Sequence, residues 1–204
     1  MIGRKESAMN QKTIQYYNKN AREFIDRTVD WDMSYCQKKF IALLNPGSFL
    51  LDAGCGSGRD SKFFLECGFR VQAMDASREM CALAEEYIGQ PVECMRFDEL
   101  QYHSQFDGIW ACASLLHVEK NQLPDLLRQF HQALKPEGIM YASFKYGNAE
   151  EERLERFFSD YHLDEIEGIF MQDGLFELVE AFETEDVRPD YKKKPWINII
   201  VRKK

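Results

Sequence analysis

Three glycines at alternate positions, Gly54, Gly56 and Gly58, break the run "FLLDAGCGSGRD" at residues 49 to 60. Glycine accepts backbone angles closed to other residues and lets main-chain groups come close to a ligand. The run reads either as a ligand-binding turn or as a tight joint between a strand and a helix. Two phosphate signatures are missing. G-x-G-x-x-G would need glycine at 59, where Arg59 stands, and G-x-x-x-x-G-K-[ST] does not occur. Asp75 follows Gly54 by 21 residues and ends an apolar run, "RVQAMD". An acid there can accept hydrogen bonds from a ribose diol. The plainer alternative is an acid favoured by the dipole at a helix start. Turn and acid together predict a nucleoside ligand without phosphates.

Other reactive side chains are scattered. His117 follows "ASLL", where a base could reach a ligand or the ring could simply pack. In "ASFKYG" the chain turns abruptly polar at Lys145 and Tyr146, which reads as substrate contact or as an exposed strand end. His103 and His131 invite only structural readings. The six cysteines form no C-x-x-C pair and read as reduced, mostly buried thiols, with no metal site.

These residues need elements to hold them. Helical spacing of Ile14, Tyr17, Ala21 and Phe24 predicts a helix over 11–29, and a second follows over 33–44. Strands are expected at "SFLLD", "RVQAMD", "VECMRF", "FDGIWACA", "GIMYASF", "LFELVEAFETEDV" and "PWINIIVRK". Helices are expected between most of them, including a charged one near 149–158 and another near 163–172. Such alternation implies an α/β fold, a doubly wound seven-stranded and mostly parallel sheet covered on both faces. Only eight residues join the last two strands, too few for a crossover helix, so they should form an antiparallel hairpin. The chain is read as one domain, 1–204, with residues 10–45 as helices that cap the ligand.

Composition narrows the function classes. The net charge is −8, yet residues 188 to 204 carry a local +6, leaving −14 on the body. An acidic body argues against a broad nucleic-acid surface. The longest weakly polar stretch, "GIWACASLLHV", is too short for a membrane span, and the basic start "MIGRKESAMNQ" lacks the apolar core of a secretory signal. The cytoplasm is the expected location.

Four blocks in register, "LLDAGCGSGRD", "MDAS", "FDGIWACASLLHV" and "LKPEGIMYASF", resemble the class I S-adenosylmethionine-dependent methyltransferases. The likeness runs from about residue 12 to the end and is nearest to small stand-alone tellurite-resistance-type members. It implies S-adenosylmethionine as cofactor. By that resemblance, Asp52, Gly54, Cys55, Gly56 and Gly58 approach its methionine part, Asp75 holds the ribose hydroxyls and Ala76 lies beside the adenine. Arg96 and Phe97 cover the other adenine edge, although many members carry an acid where Arg96 stands. Ala111 and Cys112 pass near the sulfonium, and Tyr17 caps the methionine end.

The catalytic candidates are His117, Lys145 and Tyr146. The acceptor is expected between the first helix, the end of strand five and a helix bearing Arg153 and Arg156, with Arg188 reaching in. Those cations suggest a small anionic acceptor. A tRNA nucleotide, a protein side chain, or a non-catalytic cofactor-binding partner role are the competing readings, in a monomer or homodimer.

Overall fold

A computed structural model of the chain describes residues 11–188 and 194–204. The basic N-terminal stretch and most of the "RPDYKKKP" turn lie outside the described residues. Two helices come first, α1 (Gln11–Thr28) and α2 (Ser34–Ile41). Strands and helices then alternate: β1 (Phe49–Ala53), α3 (Arg59–Glu66), β2 (Arg70–Asp75), α4 (Arg78–Ile88), β3 (Val92–Cys94), β4 (Phe106–Ala111), α5 (Leu123–Ala133) and β5 (Leu134–Lys145). A small hairpin of β6 (Glu150–Arg153) and β7 (Arg156–Ser159) precedes α6 (Leu163–Met171), β8 (Phe176–Thr184) and β9 (Trp196–Lys203).

The main sheet has seven strands in the order β3-β2-β1-β4-β5-β9-β8. β1 pairs in parallel with both β2 and β4, so chain direction along the sheet reverses between β1 and β4. Ligands of such sheets bind outside the strand carboxyl ends at that point. β9 runs antiparallel to β5 and β8, as the short connection demands. Fully apolar stretches in β1, β4 and β5 supply a core covered on both faces, with Leu51, Ile109 and Met140 toward one side and Leu50, Trp110 and Tyr141 toward the other. Among the described residues, no helix is long and apolar enough to cross a membrane.

Local signals place the helix ends. Ser77 caps α4 by accepting from the Met80 N–H at 3.3 Å, and Gly89 closes it in the left-handed conformation. The charged stretch near 149–158 departs from expectation, because it is a hairpin and not a helix. Leu154, Phe157 and Phe158 stand at helical spacing, yet Leu154 is exposed at the turn while Phe158 is buried. Leu154 and Glu155 both adopt positive φ, the tight turn that joins antiparallel strands with matching twist. The expected strand "VECMRF" also stops early, at Cys94, and a single turn of tighter helix covers Phe97–Glu99. Of the six thiols, three are buried, Cys112 is partly covered, and Cys67 and Cys94 are exposed.

Candidate active site

A cavity of about 370 Å³ opens at the carboxyl ends of β1, β2, β4 and β5, within the ~300–1,000 Å³ range of small-ligand sites. It brings together Tyr17, Gly54, Cys55, Gly56, Asp75, Ala76, Phe97, Cys112, His117 and Lys145 of the residues expected from sequence. Arg156 and Arg188 also line it.

The glycine turn divides its labour. A Cβ on Gly54 would lie 2.5 Å from Ser114 Cβ, and one on Gly58 would lie 2.7 Å from Ile88 Cγ2. Both positions also have positive φ, +83° and +78°. Gly54 lets the β4 loop close in, and Gly58 lets α4 pack against the start of α3, so Gly58 lies behind the cavity and not in its wall. A Cβ on Gly56 would meet only Met80 Cε, at an ordinary 3.8 Å, and the Gly56 N–H donates to Asp75 Oδ2 at 3.1 Å. Asp75 Oδ1 accepts from the Ser77 N–H at 2.9 Å. Burial raises the Asp75 carboxyl above its ordinary range, and the backbone donors at Ser77 and Gly56 oppose that shift.

Besides Gly58, five expected site residues stand elsewhere. Asp52 is buried beneath the turn, where it accepts from Ser61 Oγ at 2.6 Å. Its carboxyl is pushed up to about 8 by burial and then by the charge of Asp60. Arg96 turns outward to Asp98 at 2.9 Å and Glu99 at 3.6 Å, leaving Met95 and Phe97 on the wall. Ala111 is fully buried, because β4 ends there and Ala113, at φ 53°, swings Cys112 and Ala113 to the cavity. Tyr146 follows Lys145 on β5 and alternation turns it to the opposite face, against His162 at 4.9 Å. Arg153 is held by buried Asp160 at 2.7 Å and does not reach the cavity.

Sequence reasoning missed one buried cluster at the cavity wall. Asp60 accepts from Gln37 Nε2 (2.7 Å), Arg59 Nε (2.9 Å), Arg59 Nη2 (2.8 Å) and Trp110 Nε1 (2.9 Å). Burial alone would raise the Asp60 carboxyl, but the Arg59 charge and these donors bring it below the ordinary range. Burial works against the charge of Arg59, and Asp60 more than offsets it. The adjacent pair "RD" at a helix start was the available signal. Ser143, Trp196 and Asn198 were missed too, although two-residue alternation places them on the face of Lys145: β5 and β9 pair Ser143 with Asn198 and Lys145 with Trp196.

His117 is engaged at both nitrogens. Nδ1 lies 2.6 Å from the Phe157 carbonyl oxygen, and Nε2 lies 2.9 Å from Tyr17 OH. A carbonyl can only accept, so Nδ1 carries the proton and Nε2 accepts from Tyr17. Burial drives its pKa down to about 3, with Arg156 and Lys145 assisting. The ring therefore fastens α1 to β7 in its neutral form, together with the Phe157 N–H donating to Thr13 Oγ1 at 2.9 Å. An NMR titration should show no His117 protonation between pH 5 and 8. Because the unfolded ring titrates near 6.5, the stability that it contributes should be complete above that pH and decline as pH falls toward 3. A His117 resonance titrating near 6.5 in the folded protein would contradict the fastening.

Residues 50–138 match the family described as a methyltransferase domain. YqeM of Bacillus subtilis (strain 168), named among the methyltransferases, is 32% identical over 107 residues, 47% of this chain and 43% of that protein. A malonyl-[acyl-carrier protein] O-methyltransferase of Enterobacter lignolyticus (strain SCF1) is 28% identical over 97 residues, 45% of this chain and 36% of its own. The chain thus spans less than half the length of these curated relatives. Among solved structures, the Burkholderia thailandensis 1,6-didemethyltoxoflavin-N1-methyltransferase, with bound 1,6-didemethyltoxoflavin and S-adenosylhomocysteine, superposes with a TM-score of 0.79. It is 22% identical, and the match covers 94% of this chain and 87% of that one. The fold is that of the S-adenosylmethionine-dependent methyltransferases.

Proposed function

Taking residues 50–138 as a methyltransferase domain, we propose that the chain is a single-domain, cytoplasmic S-adenosylmethionine-dependent methyltransferase acting on a small anionic acceptor, as a monomer or homodimer. Within that fold we rank it nearest the small tellurite-resistance-type members, on the sequence blocks quoted above. One observation carries the cofactor reading: the Asp75 carboxylate and the glycine turn share one wall of the cavity at the strand ends. Asp75 would take the ribose hydroxyls, and Ala76, Met95 and Phe97 offer apolar contact to a base. Gly54, Cys55 and Gly56 would border the methionine part beside Tyr17. The lack of a glycine at 59 fits a ligand that carries no phosphate.

When bound, S-adenosylmethionine supplies a methyl carbon made electrophilic by a positively charged sulfur. The protein's own task is mainly to align an acceptor within ~3–3.5 Å of it and to exclude water. Tyr17 would border the acceptor together with His117 and Arg156, to which its hydroxyl is hydrogen-bonded and which line the cavity beside it. The neutral His117 ring, with its lone pair already taken by Tyr17, acts as a positioning residue. Lys145 is the better candidate to hold an anion or take a proton. Its pKa is lowered to about 8 by burial and then by Arg188, Arg153 and Arg156.

The relatives named for malonyl-[acyl-carrier protein] and for 1,6-didemethyltoxoflavin support a small acceptor group. A tRNA nucleotide or a protein side chain is the alternative acceptor, and a non-catalytic partner role is the alternative to catalysis. Calorimetry tests the cofactor reading directly. S-adenosylhomocysteine should bind and NAD should not. Tighter binding of NAD would overturn it.

A further inference from the structure

We propose that the acceptor is a planar aromatic acid, its oxyanion held between Lys145 and Arg156 and its ring laid against Trp196. The proposal rests on the methyl-transfer reading above and narrows its acceptor class. Its starting point is an imbalance of charge. Lys145 Nζ lies 4.7 Å from the Phe158 ring centre, and the Arg156 guanidinium carbon lies 5.1 Å from the same centre. Lys145 and Arg156 therefore share one phenyl ring, on which the Arg153 guanidinium also lies, 4.9 Å from its centre. Among the described residues, neither Lys145 nor Arg156 has a carboxylate at ion-pair distance, whereas Arg59 has Asp60, Arg153 has Asp160 and Arg188 has Asp186. Arg156 donates to Tyr17 OH at 3.5 Å, and its Nε is buried with no hydrogen-bond partner. Like charges drawn together without a counter-ion are unfavourable, and a buried unpaired donor adds to that cost. An anion in the cavity relieves the repulsion.

The aromatic part of the proposal follows from what is left to recognise a ligand. The other polar groups near Lys145 are already engaged within the protein. Ser143 Oγ accepts from the Ala113 N–H at 2.8 Å. The Asn198 amide donates to the Phe182 and Trp196 carbonyls and to Thr184 Oγ1, and its oxygen accepts from Tyr141. Asp186 accepts from Arg188 and from Trp196 Nε1, the latter at 2.9 Å. That last bond fixes the Trp196 indole at one edge without covering its faces. Trp196 sits directly across from Lys145, whose Nζ is 5.8 Å from the indole centre. With the hydroxyls and amides occupied, two cations and rigid ring faces remain. An aliphatic acid would satisfy the charge alone, but a flat conjugated acid would use both.

The test uses the whole chain loaded with S-adenosylhomocysteine and three matched probes: naphthalene-2-carboxylate, its fully saturated counterpart, and its neutral amide. Calorimetry should give the aromatic acid at least about fivefold tighter binding than either of the others. Trp196→Leu should erase the preference over the saturated acid, and Arg156→Gln should erase the preference over the amide. Retained S-adenosylhomocysteine binding shows that a variant is folded, and the wild-type probe series decides the question without any variant. Equal binding of the saturated acid would overturn the aromatic assignment and leave an anionic acceptor standing. Equal binding of the amide would overturn the anionic acceptor. If the loaded protein bound none of the three, this proposal would fall while the cofactor reading stood. Failure of S-adenosylhomocysteine itself to bind would remove the reading on which it rests.

Discussion

Asp60→Ala is expected to lower the unfolding free energy by about 3–5 kcal/mol, the usual cost of removing one member of a buried ion pair. The side chains of Arg59 and Asp60 are only 18% and 7% exposed. Removing the carboxylate strands the Arg59 charge and deprives Gln37 and Trp110 of their acceptor. Each abandoned donor adds to the loss, because a buried unmade hydrogen bond costs more than a made one contributes. Asp60→Asn should recover only part of the stability. The amide oxygen can still accept, but its NH2 would meet a donor from Arg59 or Trp110. Urea unfolding monitored by circular dichroism measures both variants. A loss below about 1 kcal/mol for Asp60→Ala would show that the pair is more hydrated than its burial implies.

Asp60 also marks a limit on what the sequence discloses. Alternating strands and helices, a Ser cap, glycine stops and an eight-residue connection make the sheet and its final antiparallel pair legible, because each signal is local. Partnership across the fold is not local. Trp110 and Gln37 reach Asp60 from β4 and α2, and nothing in their own segments announces that meeting. Arg153 illustrates the same limit from the other side. Read on a helix it faces an acceptor, but on the observed hairpin it serves Asp160. The hairpin turns on the positive φ of Leu154 and Glu155, neither of which is a glycine or asparagine that would have signalled it.

The errors at Ala111 and Tyr146 have a simpler cause. Each is off by one position at a strand end, and a shift of one reverses which face a side chain occupies. Ser143 and Lys145 share the cavity face, so Tyr146 could have been set aside by counting in twos. The glycine turn serves the packing of the fold as well as the cavity. All three glycines have positive φ, but Gly54 and Gly58 answer mainly to Ser114 and Ile88, and only Gly56 faces the cavity without a close neighbour.

That division sets up the largest expected effect on binding. Asp75→Ala should weaken S-adenosylhomocysteine by between about tenfold and a thousandfold. Two ribose hydrogen bonds to an ionised acceptor are worth roughly 1.5–3 kcal/mol each, partly offset by rearrangement. The lower bound reflects the second duty of the carboxylate. In the free protein it ties Gly56 and Ser77 together through their N–H groups, at 3.1 and 2.9 Å. Its loss therefore loosens the turn as well as the diol contact. Asp75→Asn separates these duties, since its oxygen can still accept from Ser77 while its NH2 faces the Gly56 donor.

The pH dependence has a definite sign. In the proposed binding mode the ribose diol would donate to the ionised carboxylate, and burial raises the carboxyl of the free protein above the ordinary range. Affinity should thus be full at neutral pH and fall as pH drops through that raised value, with the onset above the usual carboxylate range. Asp75→Ala should abolish this acid limb and lower affinity most at neutral pH, the two proteins converging as pH falls below the raised value. Calorimetric titrations across acid and neutral pH measure both effects. An acid limb that persists in the variant would assign it to another group, and unchanged affinity at neutral pH would remove Asp75 from the ribose.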